Sequence, residues 1–164
     1  MPTGLLGRSL LILITPMLLL QIVTVLIFFE RHWDTVARQL SRGLAGDVAY
    51  VIDYLGEYPD KEHYVWLQHS ARAHMQLDIA FEPDEILEEQ TIEPPLGLVS
   101  EELFVALTER VQRPFYFNLD LDNRRLEIRV QFKEGVISIV APRKRLYSST
   151  TYIFFMWIAG SALI

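Results

Sequence analysis

The chain has 164 residues, a formal net charge of −6, 51% hydrophobic residues and no cysteine. Such a length leaves room for about one domain, the acidic balance argues against a nucleic-acid partner, and the apolar content is high for a water-soluble protein. Without cysteine, disulfide logic assigns no compartment.

The apolar excess gathers at the two ends. From Ser9 to Phe29, SLLILITPMLLLQIVTVLIFF carries no charge, and roughly 20 such residues at about 1.5 Å rise cross a hydrocarbon core of about 30 Å. The run is longer than the apolar core of a cleaved signal peptide, and ERHW rather than small residues follows it. Residues 9–29 therefore read as a transmembrane helix behind a short cytoplasmic tail, 1–8. Pro16 is tolerable there because neighbouring groups in a membrane bundle satisfy the freed carbonyl.

Residues 30–147 hold all 21 acidic residues and 14 of the 15 basic ones, a net charge of −7. Their first element continues from the apolar run. Trp33, Val36, Ala37, Leu40, Leu44, Val48, Val51 and Leu55 recur at steps of three and four, one stripe on a long helix that Gly56 and Pro59 stop. The stripe can face the core of its own domain, or pack against its copy in a dimer.

A second helix is expected over 60–74, with Tyr64, Leu67, Ala71 and His74 on one face, then a short strand in MQLDIAFEP with Leu77, Ile79 and Phe81 inward. The next stretch, 82–100, has tandem prolines and six carboxylates between Glu82 and Glu93, and reads as a solvated loop. Ser100 is the expected N-cap of the helix EELFVALTERV. After Pro114 the period changes to two. FYFNLDL, RLEIRVQF and VISIVA read as three antiparallel strands, with turns at Asp122-Asn123 and Glu134-Gly135. The expected fold class is α+β, with helices packed on one apolar face of an antiparallel sheet, a layout that resembles PAS-like domains.

Beyond Pro142 come Arg143, Lys144 and Arg145, then an uncharged run over 148–164 with aromatic residues near its start, which reads as a second transmembrane helix. That the run reaches the last residue leads us to expect a longer protein. The cations are expected to contact lipid phosphates at the membrane edge, or to pair with the acidic domain.

No catalytic constellation is apparent: there is no phosphate-binding Gly-rich loop, no nucleophile with a local signature and no cysteine. His32, His63, His69 and His74 lack the i,i+4 spacing that puts two metal ligands on one helical face. No cofactor or metal is expected in this segment.

The order of short tail, span, long helix, compact mixed domain, closing strands and second span resembles the sensor half of EnvZ-type osmosensing histidine kinases. The most specific local likeness is FNLDLDNRRLEIRVQFKEGVISIVAPRKRLYSSTTYIFF, where Ile139-Val140-Ala141-Pro142 stands where that family has an aliphatic "V-x-P" before the second helix. LLILITPMLLLQIVTVLIFF and LAGDVAYVID resemble the family's start. The resemblance implies a two-component sensor of the bacterial inner membrane. This segment would sense and transmit, controlling autophosphorylation and phosphotransfer to a response regulator by further domains that use ATP and Mg. It also implies a homodimer, and the dimer or signalling helix is then expected at Trp33, Leu40, Leu44, Val48, Val51 and Leu55. Membrane lipids and a periplasmic or inner-membrane protein are further expected partners. Two other readings fit the layout: the sensor of a chemoreceptor or cyclase, and a membrane-anchored module that docks a periplasmic protein.

Charge and resemblance disagree on orientation. Arg8 precedes the first span, whereas Arg31, Arg38 and Arg42 follow it and Arg143 to Arg145 precede the second, which by the positive-inside rule favours a cytoplasmic middle domain. Loops longer than about 60 residues translocate largely regardless of charge, and the resemblance puts the domain in the periplasm.

Overall fold

The computed structural model describes residues 5–122 and 124–147. The chain forms two compact units, divided between Val36 and Ala37. One helix, α1 (Leu5–Glu57), begins in the first and ends in the second.

In the first unit the large apolar side chains, among them Leu11, Ile12, Leu13, Met17 and Leu20, are exposed. Each would gain about 1.5–3 kcal/mol by leaving water, so this surface calls for apolar surroundings. Among the described residues α1 is the one helix long and apolar enough to cross a membrane. Thr15 and Thr24 donate to the carbonyls of Leu11 and Leu20 at 2.6 and 2.8 Å, so neither hydroxyl needs a partner outside the helix. Phe28 stacks on His32 and Phe29 on Trp33 where the apolar run ends. The expected second span, 148–164, lies outside the described residues.

The second unit is α+β. After α1 come α2 (Lys61–Ser70), which runs into a π-helical turn (Ala71–Met75), β1 (Asp78–Pro83), α3 (Leu98–Val111), β2 (Phe115–Asn118), β3 (Arg125–Phe132) and β4 (Gly135–Pro142). The strands form one antiparallel sheet in the order β1-β4-β3-β2. Pairing of Val130 with Ile137 and Ile128 with Ile139 puts every inward apolar residue of β3 and β4 on one face, where Phe115 and Phe117 of β2 and Ile79 of β1 join them. A slip of one residue would turn that whole set to the other face, so the alternation itself fixes the register. Leu44, Val48 and Val51 of α1, Leu67 of α2, and Leu103 and Leu107 of α3 pack onto this face in one buried cluster.

Four boundaries differ from those expected. α2 gives way to the π turn after Ser70, and the extra residue in that turn rotates His74 off the stripe into solvent. Only the last six residues of MQLDIAFEP pair, because Gln76 takes a left-handed conformation (φ 55°) that ends the helical segment just before it. α3 starts at Leu98 with Gly97 at the N-cap, so Ser100 is buried inside the first turn rather than capping it. Burial of Val99 extends the helix backwards. β2 stops at Asn118, whose Oδ1 accepts from the Asp120 backbone N–H at 2.9 Å. That local turn leaves Leu121 40% exposed rather than inward.

Candidate functional site

Along the expected dimer stripe, Leu44, Val48 and Val51 are at most 1% exposed and lie in their own chain's core. Leu55 packs at the edge of that core, while Leu40 and Trp33 are half-buried. The middle of the stripe is therefore taken up by the sheet, and Leu40 is the stripe residue of the second unit left least occupied.

The segment after β4 is tied back to the domain. Arg143, Lys144 and Arg145 form a 3₁₀ turn. Arg145 donates to Asp47 of α1 and, at 2.8 Å, to the carbonyl of Met75 in the π turn. Its side chain is 23% exposed and that of Asp47 30%, so the pair is partly shielded from water. Arg143 pairs with Asp120 in the β2–β3 loop and lies over the Tyr147 ring, 5.0 Å from its centroid. Two of the three cations are thus engaged by carboxylates of the acidic domain, and Lys144 stays exposed. The incoming helix α1 and the outgoing turn, 98 residues apart at Asp47 and Arg145, are joined by one ion pair.

The acidic loop is not free either. Arg129, on the outward face of β3, donates to Glu82 at 2.7 Å and to Glu85 at 2.9 Å. Its hydrogen bond with Glu85, then Arg129, holds the Glu82 carboxyl below the ordinary glutamate value; its hydrogen bond with Glu82, then burial, pushes Glu85 up. Gln131 accepts from the Leu87 backbone N–H at 2.7 Å. Further on, the Thr91 backbone N–H donates to the Phe115 carbonyl at 2.9 Å, and its hydroxyl accepts from Phe117 N–H at 3.3 Å. The loop therefore crosses the outward face of the sheet and closes the free edge of β2, a position otherwise open to pairing with another chain. The base that relieves this acidic run comes from a strand more than 40 residues away, so local composition could not reveal it.

Two features escaped the sequence reading. Tyr50 and Tyr54 of α1 and Tyr58 just beyond its end, spaced by four, form an aromatic cluster with Trp66 and His63 of α2; Tyr54 stacks on Trp66 at 5.5 Å and Tyr58 on His63 at 5.0 Å. Burial, then the neighbouring Tyr50 and Tyr58, raises the Tyr54 phenol above its ordinary value. The i,i+4,i+8 spacing was the available signal. The second is a cavity of about 460 Å³ between the end of α1, the start of α2, β1 and the β3–β4 turn. Its apolar lining is Leu55, Tyr64, Phe81, Phe132 and Ile137, and Lys61, Arg113, Lys133 and Glu134 supply its charge. These residues come from five separate places in the chain, so no local motif announces them.

Among the described residues no group of three His, Cys, Asp or Glu side chains is placed to hold a metal ion. Comparison with protein-family models, with curated proteins and with solved structures finds no match for this chain.

Proposed function

We propose that this chain is the sensor and transmembrane signalling region of a two-component histidine kinase, with its PAS-like α+β domain in the periplasm and α1 anchoring it in the inner membrane. The observation that carries this reading is the ion pair between Asp47 and Arg145. A membrane sensor must convert a change within a folded domain into a relative movement of the chain segments that enter and leave it, and such a movement needs two discrete arrangements to choose between. The Asp47–Arg145 pair ties those two segments to each other. Made in one arrangement and broken in the other, it would bias the equilibrium between signalling states. The apolar, outward-facing run of α1 supports membrane anchoring. The resemblance to EnvZ-type sensors supports the kinase output and a homodimer whose contact lies nearer Leu40 and Trp33 than Leu44.

The reading frame beyond Ile164 tests the output. A HAMP linker, a histidine box and an ATP-binding domain there are the expected result; a long heptad array would make the chain a chemoreceptor sensor, and an immediate stop an anchored module.

A further inference from the structure

The 460 Å³ cavity has a lining that is both apolar and charged, and its size falls within the roughly 300–1,000 Å³ of small-molecule sites. Ile137 forms a fully buried part of its wall, whereas Tyr64, Phe81 and Phe132 are only partly buried. Those three aromatic rings line space that no side chain of this domain fills.

The charge of the site is opposite to that of the domain. Lys61 is the first residue of α2, Arg113 lies between α3 and β2, and Lys133 lies in the β3–β4 turn. None of them makes an ion pair among the described residues, although the domain has an excess of carboxylates. The Arg113 guanidinium sits over the Phe132 ring, 4.3 Å from its centroid, which fixes it beside the apolar wall with its N–H edges still available as donors. Glu134 is the one carboxylate among the lining residues, against three cations. Tyr64 is held in place through its hydroxyl, which accepts from the Phe81 backbone N–H at 3.1 Å. The wall is thus built before any ligand arrives, and a ligand would lose little of its affinity to ordering the protein.

We propose that this cavity binds a small organic anion with an apolar body, such as an aromatic or medium-chain carboxylate. The body would lie against Phe81, Phe132 and Tyr64, and the anionic head would face Lys61, Arg113 and Lys133. A cation is disfavoured by the net positive lining, and a neutral molecule of the same shape forgoes the charge-assisted hydrogen bonds. The inference deepens the sensor reading and rests on it for calling the anion a stimulus. Binding is measured on the chain itself, without a signalling readout, so failure of one and failure of the other are separate results.

The full chain in lipid nanodiscs is titrated with benzoate, phenyl phosphate and benzyl alcohol, following the methyl resonances of Leu55 and Ile137 and the heat of binding. The expected result is saturable binding of at least one anion that shifts both methyls, benzyl alcohol weaker by about tenfold or more, and a matching loss in the Lys61→Gln/Lys133→Gln double variant. Both lysines are exposed, so thermal unfolding of the variant should match wild type. Phenyl phosphate or benzoate binding tighter identifies the preferred head. No saturation of either anion up to about 10 mM, equal affinity for the alcohol, or full affinity in the folded double variant would overturn the proposal.

Discussion

Cutting the tie between Asp47 and Arg145 should cost a measurable share of domain stability. Exposed ion pairs contribute about 0–1 kcal/mol, whereas breaking a buried pair costs about 3–5 kcal/mol. With side chains 23% and 30% exposed, this pair falls between the two. Arg145→Ala also removes the hydrogen bond to the Met75 carbonyl, so about 2 kcal/mol is expected, and about 1 kcal/mol for Asp47→Ala, which leaves that bond in place. For a domain of this size 2 kcal/mol corresponds to a fall in Tm of roughly 6–10 °C. Thermal unfolding of the full chain in detergent, followed by near-ultraviolet circular dichroism, gives the three corners of a double-mutant cycle relative to wild type. A coupling of about 1 kcal/mol between the two sites is the expected result. If Arg145→Ala falls within about 0.3 kcal/mol of wild type, or the two substitutions are simply additive, the pair does not hold the two segments together.

Three further outcomes follow from the packing and charge. At Gly135, with φ at +154°, a Cβ would lie 2.1 Å from the Glu82 carbonyl oxygen, so Gly135→Ala should destabilise by about 2 kcal/mol or more; Gly43→Ala, in helix α1 with no neighbour within 4 Å, should stabilise by about 0.5–1 kcal/mol, and urea midpoints check both signs. Leu44→Ala should cost about 3 kcal/mol because Leu44 is a core residue, whereas Leu40→Glu should leave the fold intact and weaken the proposed dimer, as measured by sedimentation in detergent. Glu82, lowered in the folded state, contributes stability that is present above its unfolded value and lost as pH falls through its lower folded value; Glu85, raised, opposes folding at neutral pH and is relieved as pH falls through its higher folded value. Stability measured from pH 7 to pH 3 should therefore fall less steeply on the acid side in Glu82→Gln, while Glu85→Gln should be at least as stable as wild type at neutral pH and flatter on the approach to the acid range.

The sheet was legible because burial on one face forces a period of two: a one-residue slip of Leu126, Ile128 and Val130 against Ile137, Ile139 and Ala141 would expose a whole row. Helix limits were less legible where a local signal competed with packing. Ser100 has the chemistry of an N-cap, yet burial of Val99 moved the helix start to Leu98. Asn118 and Asp120 looked like the outward side of a strand, yet their turn ended it. The stripe on α1 was visible, but periodicity cannot say whether a stripe meets its own sheet or a second chain. The contacts that bear most on function were invisible for a simpler reason. Arg145 with Asp47, Arg129 with Glu82 and Glu85, and Lys61 with Arg113 and Lys133 around one cavity are all long-range juxtapositions, and none of them has a sequence spacing to recognise.

The central claim is that the tie between α1 and the segment after β4 sets the signalling state. It is tested most directly by fusing residues 1–164 through a HAMP linker to the cytoplasmic half of an osmosensing histidine kinase and measuring autophosphorylation in membranes. Asp47→Ala and Arg145→Ala should shift output in the same direction, and the double variant should go no further than the stronger single. Arg72→Ala, which removes an exposed pair with Asp78, should leave output unchanged. A chimaera that responds to its medium with the same output in wild type, both single variants and the double variant would contradict the account.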